Sequence, residues 1–392
     1  EESRGIADGS NGRPSGGGVS SGPWAAEELL RMVAARWEEA KGLSHAETLR
    51  AVSDWALLLR RLGRYEEAEV QHRRVLAARE AMLHPAHRDV LASQNNLALV
   101  LKAKGEFEQA EVLLRRTIEA KEQSFGEHHQ STLLSLSNLA VLLRCVGRHD
   151  EAAGLLQRVA SAVEASPGAA RFGASAALSN LAVSRKLAGC ADEAESLLRR
   201  AMASSAVAFG EASEANVAVR SNQAALRRAA GRSRAAEVLY RQVLQDCERS
   251  VGSEHPSTAA ALNAVGAALA DAGQAAEARP LLERALALRE RVFGTKHPST
   301  LFSCANAAYV AALLGDYKAA VELLDRATAG SAMTGAHNAS HSAASVVHAA
   351  LELLRKRGLE VEAAPIFLRL AEARVGSVDV DAVGDRRSAA SA

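Results

Sequence analysis

Carboxamide side chains recur along this 392-residue chain at a spacing of 42 residues or a multiple of it. The column consists of Asn96, Asn138, Asn180, Asn222 and Asn306. Because a carboxamide both donates and accepts hydrogen bonds, such a row could bind the main chain of an extended peptide without reading its side chains. Each bond contributes about 1 kcal/mol net, enough to set a register but not a sequence. The same column could instead reflect duplication of a repeat, or hydrogen bonds to a neighbouring helix.

Cationic side chains form a second column, six residues after the asparagine register. Its members are Arg60, Lys102, Arg144, Lys186 and Arg228. Cations in a row attract an acidic segment, and added salt weakens the attraction. The whole chain has a net charge of only +1, so this positive charge is concentrated in one place. The alternative is a solvated helix face, the usual position of charged residues.

Toward the C-terminal end the corresponding positions become apolar and include Phe302 and Tyr309. These two side chains could form a pocket for a hydrophobic anchor of a ligand. They could equally be the surface on which the next repeat stacks. Taken with the cation column, the first alternative predicts a ligand with an acidic stretch and an aromatic or aliphatic anchor.

Both columns lie on a repeat whose elements are predicted to be helices. A glycine recurs at the 42-residue spacing and defines units 1 to 7, at Gly63, Gly105, Gly147, Gly189, Gly231, Gly273 and Gly315. Apolar residues follow a helical spacing before each glycine, as at Leu136, Leu139 and Leu143. Each unit is therefore predicted to contain a first helix, a glycine turn and a second helix. Stacking the units buries apolar stripes that neither helix can bury alone.

The repeat register also predicts how the chain is divided. Residues 23–42 match the second helix of an incomplete unit, which predicts an N-terminal capping half-repeat. Residues 43–376 hold about eight units of 42 residues. The Gly/Ser-rich residues 1–22 and the tail 377–392 are predicted to be disordered.

The units resemble tetratricopeptide repeats of the 42-residue, kinesin light chain-like type. The segments that carry the resemblance are Asn95-Asn96-Leu97-Ala98 and Gly63-Arg64-Tyr65-Glu66-Glu67-Ala68-Glu69. This resemblance implies an all-α α-solenoid of helical hairpins that forms a right-handed superhelix. It also implies that the first helices line a concave groove, where the asparagines hold a bound peptide's main chain. Residues before 43 show no sustained heptads of a motor-binding coiled coil, which argues against attachment to a kinesin motor. A kinesin-type cargo adaptor is kept as an alternative.

No catalytic signature accompanies the repeats. The chain lacks a phosphate-binding glycine loop and a nucleophile elbow, so we predict no enzyme activity, no catalytic residues and no cofactor. Its four cysteines form no CxxC pair, which favours thiols in a reducing, cytoplasmic compartment and no metal site. No apolar run reaches the roughly 18 residues that membrane insertion requires. Aromatic residues make up 4% of the chain, too few to favour stacking on nucleic-acid bases.

The predicted function is a non-catalytic protein–protein interaction scaffold or adaptor that binds an extended, acidic peptide segment. The alternative is a structural subunit that packs its repeat surface into a larger assembly. One irregularity predicts local softness: Arg185 and Arg227 occupy a position that is leucine in units 2, 3 and 6 and faces the space between helices. The middle of the array should therefore exchange its amide hydrogens faster than the ends.

Overall fold

The computed structural model describes residues 23–165, 171–209, 214–334, 340–359, 364 and 366. Those residues form sixteen helices and no strand. The helices are α1 Pro23–Lys41, α2 Ala46–Arg61, α3 Tyr65–Met82, α4 Arg88–Lys104, α5 Phe107–Phe125, α6 Gln130–Cys145, α7 His149–Ala165, α8 Arg171–Leu187, α9 Ala191–Phe209, α10 Glu214–Ala229, α11 Ser233–Ser250, α12 Pro256–Asp271, α13 Ala275–Phe293, α14 Pro298–Leu313, α15 Tyr317–Thr334 and α16 Ser340–Lys356. Units 1 to 7 are the pairs from α2–α3 to α14–α15, and α1 occupies the repeat position of a second helix. The predicted all-α solenoid is confirmed. The predicted disordered segments, 1–22 and 377–392, lie outside the described residues.

Glycine turns and histidine caps decide where these helices begin and end. Gly105 ends α4 in the left-handed conformation, with φ of 90°, which only glycine adopts without strain. At the other end of α4, His87 Nδ1 accepts a hydrogen bond from the Asp89 backbone N–H at 3.2 Å. This side-chain acceptor satisfies one of the unpaired donors of the helix N-terminus. The same histidine cap begins four more first helices, at His45, His129, His255 and His297.

Small residues allow the two helices of each unit to approach closely. The alanines five residues after each glycine are 0% exposed: Ala68, Ala110, Ala152, Ala194, Ala236, Ala278 and Ala320. On the first helix, the position that packs against this column holds alanine in six units and Gly266 in unit 6. A Cβ atom added to Gly266 would lie only 2.6 Å from Leu282 Cγ. These small residues therefore form a seam that fixes the spacing within a unit.

The first helices form the inner wall of the solenoid. First helices of successive units contact one another at most steps, for example α8 with α10 and α14 with α16. Within the described residues, the second helices of successive units make no comparable contacts. Since the inner wall of a curved stack is its shorter side, the first helices line the concave surface.

The curvature is strong enough to bring distant units together. His297 Nε2 lies 3.2 Å from the Arg61 carbonyl oxygen, and α1 contacts α13. Arg61 ends the first helix of unit 1, and His297 caps the first helix of unit 7. Six units therefore complete one superhelical turn. The concave surface is consequently a channel that is bounded on all sides over this turn.

None of the helices in the described ranges is both long enough and apolar enough to cross a membrane.

Candidate peptide-binding groove

The asparagine column lies on the first helices, but it serves the array itself as well as the groove. Asn138 Nδ2 donates to Asn95 Oδ1 of the preceding unit at 3.1 Å, and Asn222 Nδ2 donates to Ser179 Oγ at 2.7 Å. The alternative that these amides bond a neighbouring helix is therefore realised at these two positions and also at Asn306. In Asn138 and Asn222 each amide nitrogen retains a second hydrogen, and both side chains remain half-buried. Asn96 and Asn180 are also half-buried, so all four stay candidates for peptide binding.

Asn306 is a poorer candidate than the sequence suggested. Its side chain is only 3% exposed, and its Nδ2 donates to Asn263 Oδ1 at 3.2 Å. A ligand in the channel could reach this amide only if α14 moved. We therefore remove Asn306 from the candidate peptide-binding set, because apolar packing of units 6 and 7 covers it.

Sequence reasoning missed a buried cation that organises these asparagines. Lys121 is 4% exposed, and its Nζ donates to Ser135 Oγ at 2.8 Å and to the Ser131 carbonyl oxygen at 3.2 Å. Ser135 Oγ in turn donates to Asn95 Oδ1 at 3.2 Å, so the cation, the hydroxyl and both amides form one network. Burial lowers the pKa of Lys121 to about 8.

The same network recurs at the far end of the array. Arg289 Nη1 donates to Ser303 Oγ at 2.8 Å, and Ser303 Oγ donates to Asn263 Oδ1 at 3.2 Å. Burial lowers the pKa of Arg289 to about 10. Lys121 and Arg289 occupy one repeat position, four units apart. Arg79 occupies the same position and its Nη1 donates to Ser93 Oγ at 2.6 Å, so reading this position for recurring cations would have found all three.

The cation column forms two groups of neighbouring charges on the inner wall, Arg60–Lys102–Arg144 and Lys186–Arg228. Burial lowers the pKa of Lys102, and the like charges of Arg60 and Arg144 lower it further. Burial likewise lowers the pKa of Lys186, with Arg228 adding to the effect. These couplings occur only between groups that lie near one another. The column is therefore not the solvated face that was its alternative, because four of its members, Arg60, Lys102, Arg144 and Lys186, are each more than half buried.

Compensation of this charge is uneven along the channel. Arg228 Nε pairs with Asp271 Oδ2 at 2.5 Å, and Lys186 Nζ donates to the Ala225 carbonyl oxygen at 3.3 Å. Arg60 Nε and Arg144 Nη1 are buried atoms with no hydrogen-bond partner in the described part of the chain. A ligand oxygen cannot contact these two shielded atoms directly, but each belongs to a half-buried side chain on the inner wall. Units 1 to 3 are therefore the part of the channel best prepared for an anion.

The two aromatic residues of unit 7 differ in what they contact. Tyr309 is half-buried and packs against the core of units 6 to 8, as the stacking alternative requires. It also lies near the Arg228–Asp271 pair, since Asp271 and Arg228 both act on the pKa of its hydroxyl, which burial raises. Phe302 is half-buried at the first turn of α14. Phe302 thus remains the better candidate for an apolar contact with a ligand.

Comparison with protein families identifies the repeat. Two models described as tetratricopeptide repeat match the chain, one over residues 48–89 and the other over 89–165, 173–249, 217–290 and 257–331. Together they cover most of the chain. The chain belongs to the tetratricopeptide repeat family. A comparison with curated proteins found no match.

Solved tetratricopeptide-like structures resemble the array at low sequence identity. Repeats of a candidate kinesin light chain from Podospora anserina are 27% identical over 54% of this chain and 98% of theirs, with a TM-score of 0.44. BtubC from P. vanneervenii is 21% identical over 62% of this chain and 91% of its own, with a TM-score of 0.46. The Rap conjugation regulator of plasmid pLS20, in complex with the Phr* peptide, is 13% identical over 91% of this chain and 97% of its own, with a TM-score of 0.56. The Rap likeness shows the same fold.

The side chains of the tetratricopeptide channel are suited to binding. Among the described residues no group of three or more His, Cys, Asp or Glu side chains could hold a metal ion. What the channel offers is amide donors and acceptors, cations and an apolar end.

Proposed function

We propose that this tetratricopeptide array is a non-catalytic scaffold or adaptor that binds an extended, acidic peptide segment in its channel. The observation that carries the proposal is the group of half-buried cations Arg60, Lys102 and Arg144, whose charges lie near one another on the inner wall. A carboxylate near them gains charge-assisted hydrogen bonds, each contributing roughly 1.5–3 kcal/mol. We place the protein in the cytoplasm because none of its four cysteines forms a disulfide.

The uneven charge gives the bound segment a direction. Its acidic residues lie along units 1 to 3, next to Arg60 and Arg144, for which no ion pair is found among the described residues. Its apolar residue lies near Phe302, beyond the Arg228–Asp271 pair. Asn96 and Asn180 bind the main chain between these ends. Specificity therefore comes from charge at one end and from apolar contact at the other.

A structural role in a larger assembly has one observation in its favour. Three second helices expose a valine at the same repeat position, Val70, Val112 and Val238, at 53–58% exposure. The row is interrupted at Gly154 and Ser196, so it forms no continuous apolar surface. The cation column spans five consecutive units. Because the cation column is uninterrupted and the valine row is not, the channel is favoured over the outer surface as the main binding site.

The test compares two fluorescein-labelled peptides that differ only in charge. One contains a run of glutamates followed by a tryptophan, and the other has glutamine in place of each glutamate. Fluorescence anisotropy with the full chain should give tighter binding of the acidic peptide. Its affinity should fall as salt rises from 50 to 300 mM, because screening weakens the attraction.

The double variant Arg60→Gln/Arg144→Gln should weaken binding of the acidic peptide by about 10- to 100-fold, since each 1.4 kcal/mol is tenfold. The matched control is Arg115→Gln/Arg158→Gln, which removes exposed ion pairs with Glu111 and Glu122 on second helices. The control should bind as the wild type does. Equal affinity for the two peptides, or equal loss in both double variants, would reject the acidic-peptide proposal. Tighter binding of generic RNA than of the acidic peptide would reject it in favour of nucleic acid.

A further inference from the structure

Helix α1 exposes several large apolar side chains. Leu29 is 61% exposed, Met32 52% and Val33 36%, and with Trp37 they line a recess of about 410 Å³. We call these four residues, together with Ala26, the open face of α1. Exposed apolar groups of this size and continuity mark interaction surfaces on soluble proteins.

The repeat register identifies what is missing from the open face. Ala26 is exposed, although it belongs to the alanine column whose other members are all 0% exposed. Val33 belongs to a column whose later members, such as Val75 and Val159, are at most 4% exposed. In every later unit these two columns are covered by the first helix of the same unit. Within the described residues, therefore, no first helix covers Ala26 and Val33 of the open face.

The neighbouring core is already built for such a helix. Ala34 and Val52 are 2% and 1% exposed and join α1 to α2 in one apolar cluster with Val75. Trp55 Nε1 donates to Glu27 Oε1 at 2.8 Å across the same junction. The open face continues this interface outward, so α1 needs no rearrangement to accept a helix on its other side.

Asp54 on α2 adds a charge requirement. In unit 3 the residue at this position, Asn138, donates to Asn95 of the preceding first helix. Asp54 is exposed, and an ionised carboxylate can only accept hydrogen bonds. A helix that occupies the missing position must therefore present a donor to Asp54. It must also present a small residue to Ala26, as Gly266 does to Ala278 within unit 6.

We propose that the open face of α1 docks an amphipathic helix of a partner protein, which adds one first helix to the array. The docked helix carries a small residue against Ala26 and an amide or cationic donor against Asp54. Residues 1–22 do not fit this description, because they contain seven glycines and one proline and lack a helical apolar stripe. This second surface is separate from the channel and does not depend on the peptide proposed to bind there.

The probe for the test is a labelled synthetic peptide with the sequence of residues 87–105. This segment is a first helix of the same chain, with its histidine cap and its terminal glycine, and it presents Asn95 and Ala98 where a donor and a small residue are needed. Saturable binding to the full chain is expected by fluorescence anisotropy. Ala26→Glu should weaken it at least tenfold, because a charge would be buried under the docked helix.

The matched control is Ala35→Glu, the same substitution on an exposed position of the outer face of α1. This variant should bind the probe peptide as the wild type does, and both variants should keep wild-type helicity. Equal binding by Ala26→Glu and Ala35→Glu would overturn the proposal. So would dimerisation of the full chain that Ala26→Glu abolishes, since a second copy would then cover the face. Amide exchange of residues 1–22 that becomes faster in Ala26→Glu would also overturn it, by showing that this segment occupies the face.

Discussion

At the scale of single residues, the smallest side chains set the spacing of this array. Two glycines inside helices separate the effect of tight helix packing from the effect of glycine's low helix propensity. Gly266 in α12 faces Leu282 so closely that an added Cβ would lie 2.6 Å from it, whereas Gly154 in α7 has no atom within 4 Å of an added Cβ. The same chemical change at the two positions should therefore have opposite effects on stability.

We expect Gly266→Ala to lower the free energy of unfolding by about 1–3 kcal/mol, because overpacking must push apart α12 and α13. Gly154→Ala should raise it by about 0.5–1 kcal/mol, because alanine restricts the unfolded chain and favours the helix. Urea denaturation followed by circular dichroism measures both. Equal changes in the same direction would show that helix propensity alone, and not the seam, decides the outcome.

At the scale of helices, the array is uneven where arginine replaces leucine in the interior. Leu59, Leu101, Leu143 and Leu269 are at most 2% exposed at this position. Arg185 and Arg227, in α8 and α10, are half-buried instead, and Arg185 Nε reaches outward to Glu193 Oε2 at 3.3 Å. A leucine that becomes fully buried contributes roughly 1.5–3 kcal/mol, which these two units lack.

Hydrogen exchange should therefore be faster in α8 and α10 than in the first helices α4, α6 and α12. Local opening costs less free energy where fewer apolar contacts must break. The double variant Arg185→Leu/Arg227→Leu should slow exchange in these two helices, while Arg115→Leu/Arg158→Leu on exposed positions should not. Uniform protection across all first helices of the wild type would contradict the prediction.

At the scale of the whole molecule, the decisive contact closes one superhelical turn. His297 stacks on Phe293, with ring centroids 4.4 Å apart, and its Nε2 meets the Arg61 carbonyl oxygen. Burial, with a smaller effect from the charge of Arg289, lowers the pKa of His297 to about 4, although the hydrogen bond to the Arg61 carbonyl acts in the opposite direction. The neutral ring therefore fits the closed state. An opened state that exposes the ring binds a proton more readily, so closure should weaken as the pH falls from 6.5 toward 4.

His297→Ala should open the turn, and we expect a longer distance between spin labels placed on α2 and α14, measured by double electron–electron resonance. His255→Ala is the matched control, because His255 caps α12 in the same way. Both variants lose a cap that contributes about 1 kcal/mol, but only His297→Ala loses the contact with Arg61. An unchanged distance in His297→Ala, or an equal change in both, would show that the contact does not hold the turn closed. In the wild type the distance should lengthen below pH 6.5.

The sequence by itself determined the local architecture of this protein. The spacing of glycine, alanine and apolar residues was sufficient to predict the helical pairs, their 42-residue period and the solenoid, because these depend on contacts within a unit and with the next one. It also placed the cation column on a single face. The repeat register even held the evidence for the buried cations Lys121 and Arg289, although the pattern was not recognised.

Only the tertiary structure decided how those side chains are used. The amides of Asn138 and Asn222 bond neighbouring first helices, Arg228 is neutralised by Asp271, and Arg60 and Arg144 keep unpartnered atoms. These outcomes depend on distances of a few ångströms between units, which a one-dimensional pattern does not specify. Closure between His297 and Arg61 depends on a small rotation per unit that adds up over six units. The repeat sequence determines the packing of each unit on the next, whereas the channel forms only when the rotations of six units add up to a full turn.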